Sequence, residues 1–495
     1  VVPFILYFVY ISYLPIAPTI WTNIAAGKQM IATRALPHEI SNMPLAAGSQ
    51  PYRLAWLSDV IFGAAHNVGG VAAVSGLATM LMIVTTMVWA TLLGWFTLQR
   101  RGLLLAVGLI AMAKWTHLDE PGSFHTGSLC LAVFCWMLFR PRSELLHPTQ
   151  SKIAWTQWLG LVVLMIVWAN VGPTFLFGVG VLFAIAIGNV IDRCRTETQQ
   201  TRIFDDTVQR SFWLFELAAV ATIVNPLGIR LWTNLFRISG NPFVAHFGNS
   251  APLQLASFSG GVLAIAIVVL IIAIREADSV SVTVGLIAIG GTAAVAFNQN
   301  LLAWAVPLIV VVTIRLRRND LPIARLVYEE TVTAPGEHQP LQFAWSLVCV
   351  LLVWCGFALS PLSDPLLASK TRPENDWLST ETPTRLSASL QEHGPKGLVW
   401  SPAEWGDWIS FGTPDTQVFT TSRFDLLPNH ARRDYVKIFR GQHDWERAAD
   451  RYAIQTLVIN KRKQPTLARK ARMSGDWVPR FEDRTAMIVT RKELR

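Results

Sequence analysis

The chain has 495 residues, of which 52% are hydrophobic and 15% charged, with 20 Trp and a formal net charge of +9. That is too apolar and too aromatic for an ordinary soluble enzyme, and it matches a multi-span membrane protein. The positive charge comes partly from basic loops and partly from a C-terminal tail with 22 Lys and Arg against 17 Asp and Glu, so it is no sign of nucleic-acid binding.

The first residue is Val1 and residues 1 to 20 are already apolar. A truncated or processed start is therefore expected, and a cleaved signal peptide is not, since no small-residue cleavage site precedes a polar mature domain. Apolar runs place eleven spans at about 1 to 21, 70 to 98, 103 to 117, 123 to 140, 153 to 170, 173 to 192, 211 to 227, 258 to 275, 279 to 297, 300 to 316 and 343 to 363. Residues 54 to 68 form a further short apolar segment that reads as a re-entrant or interfacial helix. Ser279 to Ile314 is thirty-six residues without an acidic, basic or His side chain, broken only by Asn298-Gln299-Asn300. This is a membrane hairpin, because in hydrocarbon every backbone amide has to be paired within the protein.

With the N-terminus inside, the cytoplasmic loops hold 14 Lys and Arg and the opposite loops 5. The positive-inside rule supports that orientation in the cytoplasmic (inner) membrane and sends the C-terminal domain outside. The expected division is a transmembrane helical domain over 1–363, a linker over 364–385 and an extracytoplasmic α/β domain over 386–495. In the tail, Gly397 to Trp400, Gln417 to Thr421 and Ile454 to Asn460 read as strands. Asn429 to Phe439 and Asp444 to Tyr452 read as helices, and Trp477 to Arg480 with Ala486 to Arg491 as a closing strand pair. The five cysteines show neither metal spacing nor a disulfide pattern.

Polar residues gather on the outer face: His38 and Glu39 in the first loop, Asp59 and His66 in the short segment, and Lys114, His117, Asp119, Glu120 and His125 around the turn between spans three and four. Carboxylates and imidazoles in one water-filled cleft can do general acid/base work or hold a divalent ion. Bland readings stand beside these: Glu39 as a solvated loop residue, Asp59 as a cap, Asp119 and Glu120 as helix N-terminal charges, Lys114 as a snorkelling side chain. No phosphate loop, GxGxxG, HExxH or GxSxG motif is present. A transporter would carry paired broken helices in two similar halves, and no such repeat is evident.

Trp21 to Gly27 (WTNIAAG), Ala35 to His38 (ALPH), Ala55 to Asp59 (AWLSD), Trp168 to Phe175 (WANVGPTF), Asn225 to Gly228 (NPLG) and the tail segments EWGDWI, TTSRFDLLP and WVPRFEDRTAMIV follow one another along nearly the whole chain. In this order they resemble a group of bacterial multi-span proteins similar to GT-C glycosyltransferases, membrane enzymes that use polyprenyl-phosphate-linked sugars. The resemblance implies a mainly α, polytopic transmembrane bundle that transfers a sugar from a polyprenyl-phosphate carrier to an acceptor, a glycan or an envelope protein, at the outer face among membrane lipids. Glu39 or Asp59 would activate the acceptor, and Lys114 and His117, with His38, would meet the lipid phosphate. Asp119 and Glu120 would alternatively hold a divalent cation. Thr19, Asn23, Ala55, Gly172 and Glu120 stand where such relatives carry other polar groups, which keeps open a catalytically inactive paralogue acting as an envelope-assembly scaffold, or a transporter.

Overall fold

A computed structural model describes residues 2–36, 42–46, 53–94, 100–140, 155–195, 205–239, 252–277, 280–319, 351, 354–364, 367, 372–393, 395 and 397–492. The N-terminal part is helical: α1 (Val2–Ser12), α2 (Trp21–Thr33), α3 (Trp56–Gly94), α4 (Arg100–Lys114), α5 (Ser123–Phe139), α6 (Trp155–Val171), α7 (Phe175–Arg195), α8 (Asp206–Ala221), α9 (Arg230–Ser239), α10 (Phe258–Glu276), α11 (Val282–Phe297) and α12 (Leu302–Asn319). Trp56–Leu93, Phe175–Arg195 and Phe258–Glu276 are long and apolar enough to cross a membrane, and shorter apolar helices accompany them. The eleven expected crossings extend over residues outside the described set, including 343–350 and 352–353, so the described helices do not give that number.

Side chains at helix starts supply the caps that the backbone needs. Ser257 Oγ accepts from Gly260 N at 3.1 Å at the start of α10, and Asp205 Oδ1 accepts from Val208 N at 2.9 Å at the start of α8. Asp192 near the end of α7 accepts from Ser281 Oγ at 2.6 Å and Val282 N at 3.0 Å, tying α7 to the start of α11. The antiparallel pair thereby has one end at Asp192 and Ser281 and the other at Thr174 and Asn298.

One feature departs from the sequence reading. Residues 22 to 33 were expected in an external loop but form α2, which buries Trp21, Ile24 and Met30. The short segment at 54 to 68 is the first leg of α3, which breaks at Gly69 and Gly70; Gly70 has φ of +60°, a conformation that a side chain disfavours. This first leg crosses α2 almost backbone to backbone, and a Cβ on Gly27 would lie 1.9 Å from the carbonyl oxygen of Asp59.

The tail contains α13 (Thr384–His393), β1 (Leu398–Trp400), α14 (Ala403–Gly412), α15 (Asn429–Phe439), α16 (Trp445–Arg451), β2 (Ile454–Asn460), α17 (Pro465–Met473), β3 (Trp477–Glu482) and β4 (Ala486–Arg491). The sheet order is β1-β2-β4-β3, with β1 parallel to β2 and the other pairs antiparallel. Pro479 sits on the edge strand β3, where a missing N–H is tolerated. Gln417 to Thr421 does not form the expected strand. It makes a single parallel bridge from Val418 to Val399, and Val418 N on its other side donates to Asn42 O at 2.8 Å.

The tail is fastened to the first loop. Ile16 bridges to Leu378 in parallel, with Ile16 N donating to Trp377 O at 2.8 Å and Ser379 N to Ile16 O at 2.9 Å. Met43 and Ala46 of the first loop belong to the buried core of the tail, with Val399, Trp400 and Leu457.

Candidate functional site

The crossing of α2 and α3 creates the most polar buried point in this region. Asp59, in the first turn of α3, pairs with Arg53 just before the helix at 3.4 Å, and both side chains are buried. The same Arg53 Nη1 donates to Asn23 Oδ1 of α2 at 3.2 Å. Glycines at the crossing explain why the two helices can bring these groups together, since a Cβ on Gly63 would lie 2.7 Å from the carbonyl carbon of Gly27.

The neighbouring turns hold this point in place. Trp56 Nε1 donates to Asn170 Oδ1 at 2.7 Å, Asn170 Nδ2 donates to Val224 O at 2.9 Å, and Asn225 Nδ2 donates to Asn170 Oδ1 at 3.1 Å. The Asn170 and Asn225 turns, which the sequence marks as helix breaks, are thus one hydrogen-bonded network under Trp56. Thr126 Oγ1 donates to Ser58 Oγ at 3.3 Å, attaching α5 to the residue before Asp59.

The tail reaches the same place through α14. Asp407 is fully buried, and its Oδ1 accepts from Thr22 Oγ1 of α2, from Ser422 N at 3.1 Å and from Ser422 Oγ at 3.2 Å. Burial pushes its carboxyl up to about 7, against the opposing pull of those donors. Arg423, next after Ser422, lies within electrostatic reach of Asp59. Trp21 packs edge-on against Trp408 at 4.9 Å between ring centroids, closing the joint.

A second group forms where the end of α4 meets the start of α5. Lys114 is 2% exposed, and its Nζ has no hydrogen-bond partner among the described residues. It does not snorkel to an interface as the bland reading allowed; it is enclosed beside the buried His125, whose ring faces the backbone of Leu118 and Glu120. His117 Nδ1 stands 3.7 Å from Glu120 Oε2. Asp119 is drawn upward in pKa by burial and by the adjacent Glu120, while its carbonyl accepts from Ala17 N at 2.8 Å.

The structure therefore gathers Lys114, His117, Asp119 and Glu120 with His125 in one group, and Asp59 with Arg53, Asn23 and Arg423 in another. His38 and Glu39 lie outside the described residues. Among the described residues no group of three or more His, Cys, Asp or Glu side chains is placed to hold a metal ion by itself; Asp119 and Glu120 are adjacent carboxylates beside His117. Sequence reading missed Arg53, Asn23, Asp407 and Arg423. The last two sit in EWGDWI and TTSRFDLLP, which stood out only as matching segments.

An apolar groove of about 730 Å³ runs between α7, α11 and α12. Phe177, Gly180 and Ala184 line one wall, Gly290, Ala294 and Phe297 the other, and Thr174, Asn298 and Leu54 lie at one end. Phe297 is 82% exposed, so the groove is open along its side. Leu54, which lines the groove, is the chain neighbour of Arg53; Arg53 and Asp59 themselves are not among its lining residues.

No family model matches the chain, and no curated protein matches it. Three solved structures resemble it across most of its length. The archaeal oligosaccharyltransferase AglB from Archaeoglobus fulgidus, in complex with an inhibitory peptide and a dolichol-phosphate, is 10% identical with a TM-score of 0.54, over 96% of this chain and 72% of that one. The Archaeoglobus fulgidus oligosaccharyltransferase in complex with Zn and sulfate is 11% identical with a TM-score of 0.51, over 93% of this chain and 67% of that one. ArnT from Cupriavidus metallidurans, bound to undecaprenyl phosphate, is 12% identical with a TM-score of 0.50, over 99% of this chain and 96% of that one. These are GT-C glycosyltransferases, and the chain has their fold, a membrane-embedded helical part followed by a smaller domain.

Proposed function

We propose that the protein binds a polyprenyl-phosphate-linked sugar, with the lipid in the groove between α7, α11 and α12, and transfers the sugar to an acceptor at the outer membrane face. The observation that carries this reading is that Leu54, which lines the apolar groove, directly follows in the chain Arg53, whose guanidinium stands 3.4 Å from Asp59. An open-sided apolar channel suits a lipid chain, and a guanidinium at its end suits a phosphate. Two of the similar structures hold lipids of this chemistry, a dolichol-phosphate and undecaprenyl phosphate.

In this reading Arg53 meets the phosphate and stabilises the charge that grows on it as the sugar leaves. Asp59 takes the acceptor proton. The Arg53–Asp59 contact of 3.4 Å is long for a charge-assisted pair, which ordinarily closes to about 2.7–2.9 Å, so an incoming phosphate can draw the guanidinium away and leave the carboxylate to act as base. Arg53 is better placed for the phosphate than Lys114, which is enclosed at 2% exposure.

A scaffold reading has one observation in its favour: Asp59 already has a cationic partner in Arg53, as a structural ion pair would. Assaying transfer from a polyprenyl-linked sugar by the wild type and by Asp59→Asn separates the two. Turnover that falls in the variant supports catalysis. A wild type that binds a polyprenyl phosphate yet transfers nothing to any acceptor class would leave the scaffold.

A further inference from the structure

The tail holds a second cavity, of about 220 Å³, between the start of α13 and the turn that joins β3 to β4. Thr382, Thr384 and Arg385 line one side, and Asp483, Arg484 and Thr485 the other. Both walls are fixed before any ligand arrives. Glu381 O accepts from Trp405 Nε1 at 2.9 Å, Thr382 N donates to Ser379 O at 2.8 Å, and Ser379 N donates to Ile16 O at 2.9 Å. The first wall thus belongs to the segment that straps the tail to the helical part. In the turn, Asp483 Oδ1 accepts from Ala486 N at 2.6 Å, from Thr485 N at 2.7 Å and from Thr485 Oγ1 at 3.1 Å. That oxygen holds the second wall together.

Three features of this cavity favour an anion. Thr382 is 7% exposed and lines it, yet its Oγ1 is enclosed with no hydrogen-bond partner among the described residues. An enclosed hydroxyl without a partner costs stability, so it marks a position where a ligand oxygen would be taken up. Arg385 and Arg484 come from opposite walls, and neither guanidinium has an ion pair or hydrogen bond among the described residues. The carboxylates near them in the chain are already matched, Glu381 with Lys463 at 3.1 Å and Glu482 with Lys461 at 3.0 Å and with Arg472. The third feature is α13 itself, a helix of 10 residues whose N-terminus opens on the cavity. Its dipole places positive charge there.

We propose that this cavity binds a phosphate group, in a site that shares no lining residue with the groove between α7, α11 and α12. The site stands whether or not the groove takes a lipid chain. At about 220 Å³ the cavity falls below the about 300–1,000 Å³ of sites that take a drug-sized molecule, which fits a phosphate with little of what carries it. Donors from two separate segments suit the tetrahedral spread of phosphate oxygens, where a carboxylate offers two in one plane. Free phosphate and the phosphomonoester headgroup of a lipid share this chemistry.

Hydrogen exchange of the full chain in phosphatidylcholine nanodiscs reads the site directly. Inorganic phosphate, or phosphatidic acid included in the nanodisc, should slow exchange at residues 382–386 and 483–486 together. Protection by phosphate assigns a soluble ligand, and protection by phosphatidic acid assigns the headgroup. Arg385→Ala and Arg484→Ala, both at exposed positions, should each weaken binding of the protecting anion by about tenfold or more, the worth of one charge-assisted contact. Thr382→Val should weaken it too, while the melting midpoint holds or rises because the enclosed hydroxyl is gone. A merely structural Thr382 would lower the midpoint instead. Protection by neither anion, protection confined to one segment, equal protection by acetate, or undiminished protection in both Arg variants would overturn the site.

Discussion

Arg53 and Asp59 form a buried pair that a ligand has to compete with, and the competition gives a signed expectation. Replacing Asp59 with Asn removes the carboxylate that holds the guanidinium at 3.4 Å. Polyprenyl-phosphate binding should then tighten, while transfer should fall by about a hundredfold or more, the usual contribution of a general base. Weaker binding and weaker transfer in parallel would make Asp59 a structural partner only. Asp407 gives a second expectation. Its carboxyl, raised to about 7 in the fold from an ordinary 3.8, holds a proton in the folded state at pH values where the unfolded chain has lost it. Stability from this group is full below about pH 4 and is lost as the pH rises through about 7. The melting midpoint of the full chain should therefore be higher at pH 5.5 than at pH 7.5, and Asp407→Asn should flatten that difference. An unaltered pH slope in the variant would show that another group carries it.

The glycines separate helix elements that have to touch from those that have to stay apart. Gly27→Ala at the α2–α3 crossing would press a methyl to 1.9 Å from the Asp59 carbonyl, and overpacking of this kind costs about 1–3 kcal/mol. Gly180 and Gly290 line the groove, and a Cβ on either meets nothing within 4 Å. Gly290→Ala should hold or raise the melting midpoint, since glycine within a helix costs about 0.5–1 kcal/mol relative to alanine. Gly290→Trp should abolish lipid binding without unfolding the chain. A Trp variant that folds and still binds the lipid would remove the groove from consideration. The same contrast explains what could be read from sequence. Uncharged runs such as Ser279 to Ile314 show their helices by length alone, and the β-branched strand Ile454 to Asn460 is visible by composition. α2 escapes, because Asn23, Lys28 and Gln29 interrupt its apolar positions and its burial comes from α3 and the tail. α14 escapes because nearly every residue from Ala403 to Ser410 is buried, so no polar face marks its period. The site was half legible: Asp59 stood out as an acid beside apolar segments, whereas Arg53 and Arg423 gain meaning only from a crossing and a docking that no local pattern records.

Charge asymmetry along the chain and the docking of the tail constrain the same quantity, the side of the membrane on which the site lies. The tail holds Met43 and Ala46 of the first loop in its own core and pairs Leu378 with Ile16, so tail and first loop must share one side. Thr174, Asn298 and Leu54 mark the groove end beside Arg53, and Cys194 is exposed near the opposite end of α7. With 14 basic residues in one set of loops and 5 in the other, the positive-inside rule predicts the first loop outside. Met473 is 81% exposed on the tail, which has no cysteine of its own. In right-side-out vesicles, Met473→Cys should react with a membrane-impermeant maleimide, whereas Cys194 should react only after the membrane is opened. The reverse pattern would put the Arg53–Asp59 pair, the tail and the groove end in the cytoplasm and the positively charged loops outside, and the outward transfer proposed here would have no site.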